Sequence, residues 1–229
     1  MARKPKAEEI INKVEAHYDS TEPLRNRMDE DYKLYRLDPY DAGEDFNSYT
    51  SNEPATYADK IISFLNSSEL TARIPVNSQE REQREANDKK ERFFIGALRS
   101  GDERLKNAIQ PDIKAQLSWY ITLRGWYAGR ACLVKTEDDK TFIDITPFDP
   151  MHTYWATGHD GLLWACHKIK RSKEMIESQY NVKLNISDDY DDWLEVYDYY
   201  DREYNMVVLS NGRVVKKATP HGSPNVPVF

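Results

Sequence analysis

The first half of the chain carries apolar residues at every third or fourth position, which is the spacing of amphipathic helices. Three such helices are predicted, and Asn52 is a suitable cap for the third. Pro23 and Pro54 fit this pattern because each lies in a first helical turn. The predicted apolar faces are Ile10, Ile11 and Val14 in residues 6–19, Leu24, Met28, Tyr32 and Tyr35 in residues 22–37, and Tyr57, Ile61, Phe64 and Leu65 in residues 53–65.

A second helical stretch follows a short predicted strand over residues 70–76. Asn77 and Glu80 form a capping-box pattern that opens a fourth helix, and the first three turns of this helix are almost entirely charged. After Gly101 a repeat of every fourth residue predicts a buried spine, which Pro111 kinks or restarts. The spine residues are Leu105, Ile109, Ile113, Leu117 and Ile121. Trp119 and other large side chains widen its apolar surface, so we expect a sheet to pack on it.

The second half of the chain is rich in short apolar segments separated by turn residues, which predicts β-strands. Residues 130–136 and 141–146 form a predicted hairpin, and residues 151–155, 162–170 and 193–200 form further strands. Ser172 is expected to cap a short helix that ends at Tyr180. The last hairpin joins residues 206–209 and 213–217 through Ser210-Asn211-Gly212, because Asn-Gly suits the positive φ angles of a tight turn.

These elements predict an α+β fold with a helical N-terminal half packed on a mostly antiparallel, β-rich C-terminal half. We place the division between residues 1–129, which include a long loop over residues 38–52, and residues 130–229. The aromatic residues of the loop suggest that it packs on another surface.

Composition narrows the classes of function. The net charge of −7 argues against a protein whose whole surface binds phosphates. No apolar stretch approaches the length of a transmembrane helix, and the first residues lack the apolar core of a secretion signal, so we expect no membrane partner. Cys132 and Cys166 have neither the spacing of a metal site nor that of a disulfide framework, and are predicted to be free thiols.

Candidate chemistry is sparse. The five histidines, His17, His152, His159, His167 and His221, lack the spacing of known zinc motifs. The acidic residues 188–192 lack the central glycine of a calcium loop and are interpreted as a solvated turn. A hydrolase that uses Asp144, Asp149 and Asp160 stays open, because carboxylates that are distant in sequence can meet in space. We nevertheless predict no enzyme activity, no catalytic or metal residue and no cofactor.

A nucleic-acid surface is a further alternative. Five aromatic and basic residues could stack on single-stranded bases: Trp119, Tyr120, Arg124, Trp126 and Arg130. Core packing explains them better, because no run of lysine or arginine accompanies them.

Several segments in order resemble the N-terminal part of the portal proteins of tailed bacteriophages. They are residues 52–62 (NEPATYADKII), a strand ending at Pro75, a charged helix, and an apolar helix ending at Arg124-Gly125. The later segments resemble the strands of the portal wing: residues 144–150 (DITPFDP), Trp155, residues 161–164, Arg171-Ser172, residues 196–200, Pro220-His221-Gly222, Asn225 and Pro227.

The resemblance implies a structural virion protein that is assembled in the host cytoplasm and forms a dodecameric ring at one capsid vertex. DNA enters through such a ring with the terminase motor and leaves into the tail, without sequence-specific contacts. The implied partners are further copies of the chain, the major capsid protein, the terminase and tail adaptor proteins. Portal chains continue into stem, clip and crown segments, so we expect this chain to be a fragment. The alternatives are another head or tail adaptor protein and a small metal-dependent hydrolase.

Overall fold

The computed structural model describes residues 3–39, 43, 47, 49–75, 81–135, 141–184 and 193–229. Three predictions fall wholly outside these residues: the capping box at Asn77 and Glu80, the turn over residues 137–140 and the acidic residues 188–192. The loop over residues 38–52 falls partly outside them. The described residues have an α+β fold, as predicted from the sequence.

Helices dominate the first part of the chain and strands the second. The α-helices are α1 (Ala7–Ser20), α2 (Glu22–Arg36), α3 (Glu53–Ser67), α4 (Arg81–Asn107), α5 (Ile113–Arg124) and α6 (Lys173–Tyr180). The strands are β1 (Ala128–Lys135), β2 (Thr141–Phe148), β3 (Thr153–Gly158), β4 (Gly161–Ser172), β5 (Trp193–Asp201), β6 (Tyr204–Leu209) and β7 (Val214–Pro220). A short 3-10 helix spans Pro150–His152.

The chain divides into two compact units that differ from the two halves drawn from the sequence. One unit contains Met1–Asn26 and Phe148–Phe229, and the other contains Arg27–Pro147. The sequence division at residue 129 marks where helices give way to strands, whereas the compact units follow contacts in space. Each unit therefore contains both helices and strands.

The first unit is built on a five-stranded antiparallel sheet in the order β3-β4-β5-β6-β7. Successive side chains of a strand point to opposite faces, so neighbouring residues enter different cores. Tyr197 packs with Ile10 and Val14 of α1 on one face, while Val196 packs with Ile176 of α6 on the other. Strands β5 and β6 are thus buried on both faces, which explains their nearly continuous apolar and aromatic sequence.

One local prediction in this unit is confirmed, and a second is confirmed in its position but not in its turn geometry. The Ser172 hydroxyl accepts a hydrogen bond from the Met175 amide and caps α6. The β6–β7 hairpin turns through Ser210-Asn211-Gly212, but of these three residues only Gly212 has a positive φ, of 80°. The Gly212 amide bonds to the Leu209 carbonyl and the Leu209 amide to the Arg213 carbonyl, which is a three-residue loop with glycine in the left-handed position.

In the second unit, helices α4 and α5 meet strand β2. Helix α4 continues through Ser100-Gly101. Glycine at position 101 leaves room for Ile113, which packs directly against it. A Cβ atom added at Gly101 would lie 2.8 Å from the Ile113 side chain. Helix α4 ends at Asn107, shortly before Pro111. Asp112 starts α5 by accepting a hydrogen bond from the Ala115 amide at 2.7 Å. Pro111 therefore separates two helices, as predicted.

The predicted spine is only partly buried, which corrects the sequence interpretation. Leu105 and Ile113 are buried against Ile145 of β2, but Ile109 and Ile121 are exposed. Ile109 lies in the link between the helices, so its position is no longer set by the four-residue repeat. The expected covering sheet is replaced over most of α5 by α3, which packs along this helix.

Of three other predictions about the helical region, one is wrong and two hold only in part. Residues 70–75 form no strand. On α3 the predicted buried face contains Tyr57 and Phe64, which are 70% and 74% exposed, and Ala58 is buried instead. Leu24 of α2 is also exposed, whereas Met28 is buried. The spacing of apolar residues identified the helices but not which side of each helix the chain itself covers.

Candidate functional site

One concave surface among the helices of the second unit is a groove between α2, α3 and α5. Its volume is about 250 Å³. The groove is lined by Asp31, Leu34, Tyr35, Pro54, Tyr57, Ala58, Ile61, Thr122 and Leu123. Most of these side chains are apolar or aromatic, and the Tyr35 hydroxyl donates a hydrogen bond to Asp59 at 3.0 Å. That bond raises the pKa of Tyr35. The groove has polar groups at its rim and apolar side chains at its centre.

The rim of this groove exposes large apolar side chains. Tyr57 and Leu34 line it and are both more accessible than core residues, and Ile121 of α5 is also exposed. Tyr57 and Ile121 occupy helical positions that the periodicity assigns to a buried face, whereas Leu34 lies outside the predicted apolar face of α2. The sequence signal for this surface was therefore present, but it was interpreted as core.

The residues considered as an alternative nucleic-acid surface lie in the same unit, and three of them, Trp119, Tyr120 and Arg124, pack against one another. Arg124 is buried, donates a hydrogen bond to the Met28 carbonyl at 3.1 Å, and lies over the rings of Tyr32 and Trp119. Trp119 also meets Tyr32 edge to face, at 5.7 Å between ring centres. These contacts support the core-packing interpretation, because the cation and the rings that a base would stack on are occupied by one another.

A polar cluster in the second unit surrounds Asp144. Arg130 bonds to its carboxylate at 2.6 Å, Arg104 forms a second ion pair, and the Thr146 hydroxyl donates at 2.9 Å. Burial raises the pKa of Asp144, but the two guanidinium groups outweigh burial and hold it below its usual value. A carboxylate held in this way is a weak base, which counts against the role that the hydrolase alternative would give it.

The other carboxylates of that alternative have local roles. Asp149 caps the 3-10 helix by accepting a hydrogen bond from the Met151 amide at 2.9 Å. Asp160 lies in the turn between β3 and β4. Neither observation places these residues in a common site with Asp144.

The histidines of the first unit are held by packing and by backbone contacts. His17 contacts the rings of Tyr154 and Trp155, and burial, with a smaller contribution from Arg25, lowers its pKa. His167 stacks on Phe148 at 4.1 Å, and His221 lies within hydrogen-bond distance of the Asp201 carbonyl. His152 ends the 3-10 helix and His159 lies in the β3–β4 turn. Over the described ranges, no three His, Cys, Asp or Glu residues come together in a way that could hold a metal ion.

One buried polar network was not predicted from the sequence. Asn205 donates to the Asp198 carboxylate at 2.8 Å, Tyr200 donates to its other oxygen at 3.0 Å, and Lys216 reaches Asn205. The network links β5, β6 and β7 inside the sheet. The sequence signal is Asp198 and Asn205, polar residues within the apolar and aromatic runs of β5 and β6, because such residues need buried partners.

Both cysteines are free, as predicted, and burial raises the pKa of the Cys166 thiol. Cys166 belongs to the core between the sheet and α1. This environment suits a packing role rather than a nucleophile.

Comparison with known proteins gives no identification. No protein-family model matches the chain, and no curated protein matches it. Across the part of the chain that the structure describes, none of the helices has the length and apolar character needed to span a bilayer.

Proposed function

We propose that this protein is a structural subunit of the portal ring of a tailed bacteriophage. In this proposal it acts as a conduit rather than as an enzyme. The ring lies at one capsid vertex, and DNA passes through it without sequence-specific contacts. Its neighbours would be further copies of the chain, the major capsid protein, the terminase motor and tail adaptor proteins.

The observation that carries the proposal is the exposure of large aromatic side chains on two helices of one unit. Tyr57 and Phe64 on α3 and Phe93 and Phe94 on α4 are all exposed. Exposed apolar groups of this size are costly in a solitary soluble protein, and they are common where subunits meet. A subunit in a ring buries them against its neighbours.

The charged first part of α4 is consistent with the same role. Residues 82–92 contain eight acidic or basic side chains and one apolar residue, Ala86, and no buried apolar stripe runs along them. Such a surface gives contacts that are weak and sensitive to salt when they act alone. A stable ring therefore needs the exposed apolar residues as well.

Together with the order of segments that resembles a portal, these surfaces favour an assembly protein over an adaptor or a hydrolase. Negative-stain electron microscopy of the longest native form of the protein tests this directly. Closed rings with a central opening are expected. Monomers at every concentration, or open filaments without rings, would contradict the proposal.

A matched pair of variants sharpens the experiment. Phe93→Ser and Phe94→Ser remove exposed apolar area without opening a core cavity, so circular dichroism should show an unchanged fold. If the aromatic surface holds subunits together, the double variant yields fewer rings than the parent. Leu163→Ser, which removes an exposed apolar side chain from strand β4 of the other unit, serves as the control.

A further inference from the structure

Ile109 has an unusual backbone and an unusual environment. Its φ angle is +57°, which is the left-handed region that β-branched residues avoid, and its side chain is 96% exposed. The Gln110 amide bonds to the Leu105 carbonyl at 2.9 Å and the Ile109 amide to the Lys106 carbonyl at 3.0 Å. This is the Schellman ending of α4, with isoleucine in the position that usually holds glycine.

Folding does not explain this choice of residue. Glycine at position 109 would form the same helix ending without steric cost, and a polar residue would suit the solvent better. The isoleucine side chain gains nothing inside its own chain, because almost all of its surface is exposed. A strained residue that presents an apolar side chain to solvent indicates a contact with another molecule.

The same unit contains a surface that fits such a side chain. The groove between α2, α3 and α5 has a volume of about 250 Å³, and a protein cavity of about 150 Å³ already accommodates benzene. Charge is also complementary, because Asp31 lines the groove and the exposed Lys106 lies one helical turn before Ile109. The projecting side chain and the receiving groove lie at different places on one chain.

We propose that Ile109 of one copy of this chain inserts into the groove between α2, α3 and α5 of a second copy, with Lys106 facing Asp31. The inference deepens the proposed function and rests on it, since it names the contact between neighbouring ring subunits. A contact between two different surfaces is heterologous. Each copy can therefore accept the Ile109 of one neighbour in its groove and insert its own Ile109 into the groove of another. Such contacts close into a ring when the rotation between copies allows it.

The first experiment removes the projecting side chain without threatening the fold. Ile109→Gly suits the left-handed backbone because glycine has no Cβ, and Ile109→Asn is tolerated there because its short polar side chain can hydrogen-bond to the nearby backbone. Sedimentation equilibrium of each chain at concentrations up to about 1 mM measures self-association. Both variants should associate at least about tenfold more weakly than the parent, because one buried aliphatic side chain is lost. Ile109→Val, which keeps most of that side chain, should retain most of the association.

A matched control loses similar apolar area elsewhere in the unit. Leu133→Ser on β1 removes another exposed aliphatic side chain and should leave association unchanged. Equal weakening of self-association by Leu133→Ser and Ile109→Gly would overturn the proposal. The weakening would then come from the loss of exposed apolar area in general and not from a contact made by Ile109. A parent chain that stays monomeric up to about 1 mM would overturn it as well.

The second experiment tests the two-sided geometry. Leu34→Glu places a charge in the groove at an exposed position and should also abolish association. When the Ile109→Gly and Leu34→Glu chains are mixed, one intact Ile109 and one intact groove remain in each pair. The mixture should therefore form one-to-one dimers and nothing larger. A mixture in which all species are monomeric would overturn the proposal.

These outcomes are separable from those for the portal ring. If microscopy shows rings that Ile109→Gly leaves intact, the contact is wrong and the proposed function survives. If the parent and the mixed chains associate as described but no ring forms, the contact stands and the proposed function fails.

Discussion

The Asp144 cluster provides the sharpest test of what stabilises the second unit. Asp144→Asn removes the charge that Arg130 and Arg104 share but keeps the size of the side chain. The Arg130 side chain is only 17% exposed and would be left as a buried cation with a neutral neighbour. Removing one partner from a buried ion pair costs about 3–5 kcal/mol.

The expected cost here is lower than that full range. Arg104 is 37% exposed, so solvent screens its pair, and it keeps a hydrogen bond to the Ile145 carbonyl. We therefore expect Asp144→Asn to lower the free energy of unfolding of this unit by about 2–4 kcal/mol. For a chain of this size that corresponds to a fall in Tm of roughly 4–16 °C.

The pH dependence gives an independent check. The pKa of folded Asp144 lies below its ordinary value, so its stabilisation is fully present above the unfolded pKa and is lost as pH falls through the folded pKa. The difference between the parent and Asp144→Asn should be constant above about pH 5 and should shrink below about pH 4.

Thermal melts and hydrogen exchange over α4 and β2 measure this effect where it occurs. Asp149→Asn is the control, because asparagine can still accept the hydrogen bond from the Met151 amide that caps the 3-10 helix. Its expected change is below about 0.5 kcal/mol. If Asp144→Asn is equally mild at pH 7, the two arginines do not depend on Asp144 and the account given above is wrong.

Three further expectations can be checked with similar assays. Ile113→Asp should lower the free energy of unfolding by at least about 4 kcal/mol, because Ile113 is only 4% exposed. Ile121→Asp on the same helix should cost less than about 1 kcal/mol, because Ile121 is 41% exposed. Similar melting temperatures for the two variants would contradict this assignment of faces. Gly212→Ala should lower the free energy of unfolding by about 1–2 kcal/mol. The cost comes from the positive φ alone, because nothing lies within 4 Å of the added methyl group. An unchanged midpoint of urea unfolding would refute the turn geometry. Elemental analysis of protein purified without chelator should find no stoichiometric zinc or manganese, and about one ion per chain would contradict the expectation.

Local sequence signals predicted much of the secondary structure because their physics is local. Ser172 starts α6 since its hydroxyl reaches an amide three residues ahead, and Pro111 separates α4 from α5 since it lacks the amide that a continuous helix needs. The apolar and aromatic runs of β5 and β6 likewise predict strands, and burial on both faces of the sheet accounts for them. These signals involve residues within one or two turns of each other, and the structure agrees with them.

The Asp144 cluster could not be predicted in the same way. Arg104 lies 40 positions before Asp144, and Arg130 lies 14 positions before it. The sequence marks Asp144 only as a carboxylate in a strand, which suits catalysis, capping and ion pairing equally. Only the packing of α4 beside the β1–β2 pair selects one role.

The isoleucines of the predicted spine show why the candidate site was hidden. Ile109 and Ile113 occupy equivalent positions in the four-residue repeat, yet one is exposed and the other is buried. The repeat identifies positions that hold apolar side chains. Burial against another chain removes such a side chain from water just as burial in the core does. The helix break at Pro111 decides between them, because it moves Ile109 out of the helical face and into a left-handed turn. If Ile109 makes the proposed contact, an exposed apolar β-branched residue at a helix ending indicates an intermolecular contact that periodicity alone assigns to the core.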